Sequence, residues 1–221
     1  PRLGQSSNED HHLRTLEVRL QHPEPTNIKV VYADKNADDR FAYIVSVHSR
    51  EIAGVATGST GAPLVCALQC AIPLARPSPQ HVFVLRGFRL SVNGGDRHVE
   101  RLAVFEADGV LVVALEQAGS PNDFLFEVDY AYLPPAAVKD VGELWDNDIR
   151  TRKDIPAGAS VIRGFDFRFT NGDHHVREIG VMTPDDGRVE VFFSDKNGDD
   201  PFVWSVRWAI LAPATTPPSS Q

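Results

Sequence analysis

Methionine occurs once in the 221 residues, and cysteine twice, at Cys66 and Cys70. Two cysteines are too few for a disulfide framework, and no second pair exists to build a zinc cage. A bridge across four positions needs a suitable turn, whereas on a helix the two would merely share a face. The expectation is two buried apolar thiols. No apolar run approaches the roughly 20 residues of a membrane helix, so the chain reads as soluble, without membrane insertion. Basic residues are also scarce: 22 Lys and Arg face 30 Asp and Glu, a net charge of −8. Phosphate binding rests on a basic surface, so nucleic acid is not expected as a partner. No Asn-x-Ser/Thr sequon is present, which weighs against a eukaryotic secreted glycoprotein. The chain begins at Pro1 without an initiator Met, as a mature, trimmed or excised form would. The compartment is left open, with an extracellular setting or a place in a particle both compatible.

What the chain does contain is itself, repeated. Asn171-Gly-Asp-His-His-Val-Arg-Glu-Ile179 echoes Asn8-Glu-Asp-His-His-Leu-Arg-Thr-Leu16, and Asn93-Gly-Gly-Asp-Arg-His-Val-Glu-Arg-Leu102 is a looser third copy. The alignment superposes Asp10, Asp96 and Asp173, and likewise His12, His98 and His175. Downstream, Tyr32-Ala-Asp-Lys-Asn matches Phe193-Ser-Asp-Lys-Asn. Phe41, Phe124 and Phe202 then coincide, followed by Tyr43, Phe126 and Trp204. Upstream, Val84-Leu-Arg-Gly-Phe88 matches Val161-Ile-Arg-Gly-Phe165, with no counterpart before Asn8.

Each unit reads as strand. Phe165, Phe167 and Phe169 alternate with polar residues, as do Trp204, Val206 and Trp208. Turn chemistry separates the runs: Asn-Gly at 171–172, Pro-Asp-Asp-Gly at 184–187 and Asn-Gly-Asp-Asp-Pro at 197–201. The fold class expected is all-β: tandem antiparallel β-sandwich-like repeats, three copies, the first incomplete at its N-terminus. The units are residues 1–50, 51–134 and 135–212, with a flexible tail at 213–221. The connectors at 51–80 and 134–158 should add a strand or cover to each sandwich, with a short helix near Val138 to Trp145. Trp204 and Trp208 should be core.

Three constellations carry candidate chemistry. The repeated Asp and His allow three readings: a turn-capping Asp with His packed beside it, part of a binding site, or three imidazoles sharing a Zn²⁺ or Ni²⁺ on a pseudo-threefold axis. Asp after Asn-Gly is ordinary turn chemistry, which favours the first. The acidic loops place oxygen ligands at alternate positions, Asp34, Asn36 and Asp38, then Asp195, Asn197 and Asp199, like the start of a Ca²⁺ loop. The sixth position is Asp200 where glycine is expected, and the twelfth is Val206 where Glu is expected. A solvated hairpin loop is favoured, and a Ca²⁺ would bind in repeats one and three only. Tyr32, Tyr43, Phe192 and Trp145 are candidates for a sugar-stacking platform. No nucleophile elbow or phosphate loop occurs, so no enzyme and no catalytic residue is expected.

The order Val-x-Arg-Gly-Phe-Asp (161–166), Asn-x-Asp-His-His-Val-Arg (171–177), Gly-x-Val-x-Val-x-Phe (187–193) and Phe-x-Trp-Ser-Val-x-Trp-Ala (202–209) resembles the H-type lectin domain. The resemblance implies a six-stranded antiparallel sandwich, trimers, and galactose-type sugars bound at clefts between protomers. One chain with three repeats would imitate a trimer. It would put Asp166 against a sugar hydroxyl, with Arg177 beside the site. The chain departs from the pattern where Asp-Lys-Asn-Gly-Asp-Asp (195–200) replaces a Trp-containing sugar loop, and where repeat two has Arg89 and Glu100 at these two positions.

Two functions therefore stand as expectations. One is a non-enzymatic structural or assembly protein whose exposed strand edges bind other copies of itself or an assembly partner. The other is a multivalent, lectin-like protein for glycans.

Overall fold

The computed structural model describes residues 2–5, 14–20, 28–33, 41–45, 50–92, 98–117, 123–147, 150–169, 176–183, 187–195 and 202–213. These form seventeen strands and one short 3₁₀ turn at Pro135–Ala137, so the all-β expectation holds. The strands are β1 (Arg2–Gln5), β2 (Thr15–Leu20), β3 (Ile28–Ala33), β4 (Phe41–Ile44), β5 (Ala56–Ser59), β6 (Leu64–Ala67), β7 (Gln69–Pro73), β8 (Val82–Val92) and β9 (Val99–Ala107). Then follow β10 (Val110–Gln117), β11 (Asp123–Leu133), β12 (Val138–Asp146), β13 (Arg150–Asp154), β14 (Ser160–Phe169), β15 (Val176–Met182), β16 (Arg188–Asp195) and β17 (Phe202–Leu211).

They pair into three antiparallel sheets: β13-β16-β15-β1-β4, β12-β17-β14-β9-β10-β7, and β3-β2-β8-β11-β5, with β6 also on β11. No sheet is built from the segment 1–50, 51–134 or 135–212 alone; each takes strands from two of them. The meeting strands are β2 with β8, β9 with β14, and β15 with β1.

The three meetings carry one register. Tyr43, Phe126 and Trp204, equated in the sequence, pair with Leu3, Leu90 and Phe167. Those three pair on their other side with Ile179, Leu16 and Leu102, which the Asp-x-His alignment also equates. Smaller irregularities coincide too. Arg86 and Arg163 are each skipped in the ladder, just before Gly87 and Gly164, as the extra residue of a β-bulge. Glu100 and Arg177 are skipped likewise.

The glycines after the bulges have a steric cause. A Cβ on Gly87 would lie 2.5 Å from the Arg19 Cβ, and one on Gly164 would lie 2.5 Å from the Phe105 Cβ. Neither distance is possible for a real side chain without moving backbone. Two more glycines sit beneath rings: Gly58 of β5 under Tyr130, and Gly142 of β12 under Trp208. The ring covers the backbone that the glycine leaves bare.

Inward side chains of all three sheets meet in one core. It holds Leu16, Leu90, Phe124, Phe126, Phe193 and Phe202 among others. Trp204 is 1% and Trp208 7% exposed, as their alternation requires. Phe169 packs on Phe193 at 4.5 Å between ring centres, and Phe193 on Phe202 at 4.9 Å, within the range of favourable aromatic pairs.

Two expectations are corrected. Residues Val138 to Trp145 are strand β12, not a helix, because eight of its residues find ladder partners on β17. Long-range pairing outweighs a local helical spacing. The cysteines are not thiols: Cys66 and Cys70 form a disulfide with Cα atoms 5.8 Å apart. Leu68 between them adopts φ 64°, and this left-handed residue supplies the turn that a four-position bridge needs.

Candidate functional site

Asp166 lies on β14 facing outward, half-buried. Arg101, on the neighbouring β9, grips it with both arms: Nε donates to Oδ1 and Nη2 to Oδ2, each at 2.9 Å. Arg168 Nη2 adds a third bond to Oδ2 at 2.9 Å. Arg101 Nη1 also donates to Glu116 at 3.1 Å and to Gln69 at 2.6 Å. Burial disfavours the Asp166 charge, but the hydrogen bonds from Arg101 and then Arg168 outweigh it and hold the carboxyl below its ordinary 3.8. The same bond to Asp166 raises Arg101 against the opposing effect of burial. The pair is bidentate, the strong geometry for this combination. A sugar hydroxyl at Asp166 would have to share oxygens that two guanidinium groups already occupy.

On the sheet containing β2 and β8 the charges are reversed at this position. Arg89, equated with Asp166, faces Glu17 and Glu127, 3.9 Å from each. Arg19 ties the two acids together, its Nε 2.9 Å from Glu17 and its Nη1 2.9 Å from Glu127. Lys29 closes on Glu17 at 3.1 Å. Glu17 is only 1% exposed although it points away from the core, because these long side chains lie over it.

A third polar group gathers at the β9–β10 hairpin. Glu106 is buried; its Oε1 accepts from the Gly109 N–H at 2.5 Å, within a two-residue turn where Asp108 and Gly109 have φ 52° and 82°. Arg207 Nη1 donates to the Glu106 carbonyl at 2.8 Å and stacks over Phe105 at 4.2 Å. Arg163 Nε donates to the Phe83 carbonyl at 3.2 Å, and burial pulls this guanidinium below its ordinary value. Burial, with the Glu106 charge behind it, pushes the Tyr132 hydroxyl up to about 12. The shifts at Asp166 and Tyr132 favour forms already present at neutral pH.

Between the sheets lies a cavity of about 100 Å³. Leu85, Arg86 and Phe88 of β8 line it on one side, and Ile162, Phe165 and Phe167 of β14 on another. β2, β9 and β15 contribute Val18, Leu102 and Val181. Its lining is mostly apolar, and all three sheets contribute to it.

The other candidate residues are placed as follows. His98 is half-buried just before β9. Asp10, His12, Asp96, Asp173 and His175 lie outside the described residues, as do Asp34, Asn36, Asp38, Asn197 and Asp199. Arg177 and Asp195 are placed in their strands, Arg177 as a bulge residue, without described side chains. Among the described residues no three His, Cys, Asp or Glu side chains are grouped to hold a metal. Tyr32 is 5% exposed and part of the core, so it offers no platform. Tyr43 is exposed, Phe192 half-buried, and Trp145 75% exposed on edge strand β12. They are not neighbours: Tyr43 on β4 and Phe192 on β16 share a sheet but have β15 and β1 between them, and Trp145 on β12 lies in another sheet.

Arg101, Glu17 and Glu127 were not legible beforehand, since each owes its role to a partner on another strand. Gly87 and Gly164 did leave a signal, the repeated Arg-Gly-Phe. No family model, no curated protein and no solved structure matches this chain.

Proposed function

We propose that the chain is three tandem copies of one four-strand unit closed into a ring, and that it works as a non-enzymatic assembly module that associates through open strand edges. The cyclic meeting of β2 with β8, β9 with β14 and β15 with β1 in one register supports the ring. A duplicated unit that hands half its strands to the next sheet has no independent sandwich and gains its core from its neighbours.

The observation that carries the assembly reading is an apolar surface at a sheet edge. β12 is a terminal strand of its sheet among the described residues, and unpaired N–H and C=O groups along an edge are a template for another chain. Val141 and Trp145 of β12 and Val203 of β17 are exposed, and the first two lie on one face of the strand. The sugar-binding alternative draws on the repetition and the family resemblance, and the arginines on Asp166 count against it.

Sedimentation velocity across a wide concentration range tests the reading. The expected result is a mass that grows with concentration and falls back when Trp145→Glu is introduced. A strictly monomeric mass at the highest concentration overturns it.

A further inference from the structure

We infer that the outer edge of β12 is a two-fold interface: a second copy of this chain lays its own β12 antiparallel alongside, with Val141 opposite Val141 and Lys139 of each copy against Glu143 of the other. The inference deepens the assembly reading and rests on it, naming the partner and the register at that same edge.

Six strands end the three sheets among the described residues. Five of them, β3, β4, β5, β7 and β13, have four to six residues, whereas β12 has nine. Short edge strands are one way in which natural sheets avoid pairing with a neighbour. β5 shows the contrast at the equivalent place. Its Gly58 lies under Tyr130 as Gly142 of β12 lies under Trp208, yet β5 is the small-residue run Ala-Thr-Gly-Ser. β12 instead exposes Val141 and Trp145, and Trp145 is the most exposed large apolar side chain among the described residues.

The register follows from the faces and the charges. Gly142 pairs with Trp208 and Leu144 with Val206, and both partners belong to the core. Val141, Glu143 and Trp145 therefore face outward. The two cores stay on one side of a joined sheet only if a residue of β12 opposes itself on the two-fold axis. With Glu143 on the axis, two carboxylates meet. With Gly142 there, Val141 opposes a charged Glu143. With Val141 there, valine meets valine and Lys139 meets Glu143 twice, and opposite charges stabilise a cross-strand pair. Both groups are available. Lys139 is exposed and has no ion pair among the described residues; as the extra residue of a bulge it also has no ladder partner on β17. Glu143 is exposed and meets Arg207 through Oε2 at 3.4 Å, which leaves Oε1 for the lysine. Trp145 then falls opposite Ala137, beside the other copy's 3₁₀ turn, where Pro135 and Ala136 are exposed and the ring is covered by apolar neighbours.

The test is sedimentation velocity of the whole chain with two charge reversals. A two-fold contact closes on itself, so the parent mass should level off at twice the monomer. Lys139→Glu and Glu143→Lys should each weaken dimerisation at least about tenfold, because each sets two like-charged pairs across the edge. An equimolar mixture of the two variants should dimerise nearly as well as the parent, since both opposite-charge pairs are rebuilt between unlike copies. Near-ultraviolet circular dichroism should be unchanged in each. If Glu143→Lys misfolds through loss of Arg207, Lys139→Glu alone still decides the matter. A dimer that neither reversal weakens, a mixture no tighter than either variant, or a mass that climbs past the dimer overturns this interface and leaves the assembly reading standing. A strictly monomeric parent removes both.

Discussion

The β2–β8 and β9–β14 seams share a backbone and oppose each other in charge. One sets a base, Arg89, between Glu17 and Glu127; the other sets an acid, Asp166, between Arg101 and Arg168. Beneath the charges nothing changes sign. Leu90 pairs with Leu16 where Phe167 pairs with Leu102, and a glycine follows a bulged arginine in both. The inward apolar residues and the glycines set the seam. The outward residues need only be complementary, because cross-strand charge pairs contribute modestly and either order will serve.

Removing residues 1–50 is the most severe way to break this comparison. It takes β2 from one sheet and β1 from another, which strips a whole face of β8 and of β15. The expected outcome is aggregation and no cooperative unfolding transition, measured by light scattering and thermal melting. A soluble, cooperatively folding fragment would show that the seams do not depend on one another.

Gly87→Val and Gly164→Val come next. Both put a Cβ against backbone at the same register, so both should cost about 3 kcal/mol in urea unfolding, near the upper end for overpacking. The comparison predicts near-equal values. A large cost at one and none at the other would mean that the two bulges are not the same structure.

The charges can then be exchanged. Asp166→Arg alone leaves Arg101 facing like charge and should cost about 3 kcal/mol, the range for breaking a partly buried pair. Adding Arg101→Glu turns this seam toward the other's pattern and should recover about half of that loss. A double variant no better than the single one would show that backbone position, not charge order, selects Asp166.

These cases show where the sequence was legible. Period-two alternation placed Phe165, Phe167, Trp204 and Trp208 correctly, because a side chain's face on a strand is a local property. The exchange of strands between segments was not legible, because pairing is decided over distances that no local pattern encodes. Arg101 and Asp166 are 65 positions apart, and neither is unusual in its own neighbourhood. Val138, Val141 and Trp145 fall at helical spacing, yet they lie on a strand because β17 offers a ladder. The disulfide was missed for a related reason: Leu68 at positive φ is a conformation that its residue type argues against. The acidic loops and most of the Asp-x-His positions lie outside the described residues, so their chemistry rests on the sequence.

The smallest expected effect separates the seams by pH. The Asp166 carboxyl is held below its ordinary 3.8 in the folded chain, so its contribution is present above that value and is lost as pH falls through the folded value. Asp166→Asn should therefore lower the urea midpoint at pH 7 by the equivalent of about 1–2 kcal/mol, and the difference from the parent should shrink as pH falls below the ordinary carboxyl value. The slope of stability against pH between 5 and 3 should flatten relative to the parent. An unchanged slope would mean that the arginines on Asp166 contribute position without net stability, as exposed pairs commonly do. The β9–β14 seam would then be held, like its charge-reversed counterpart, by the apolar residues beneath it.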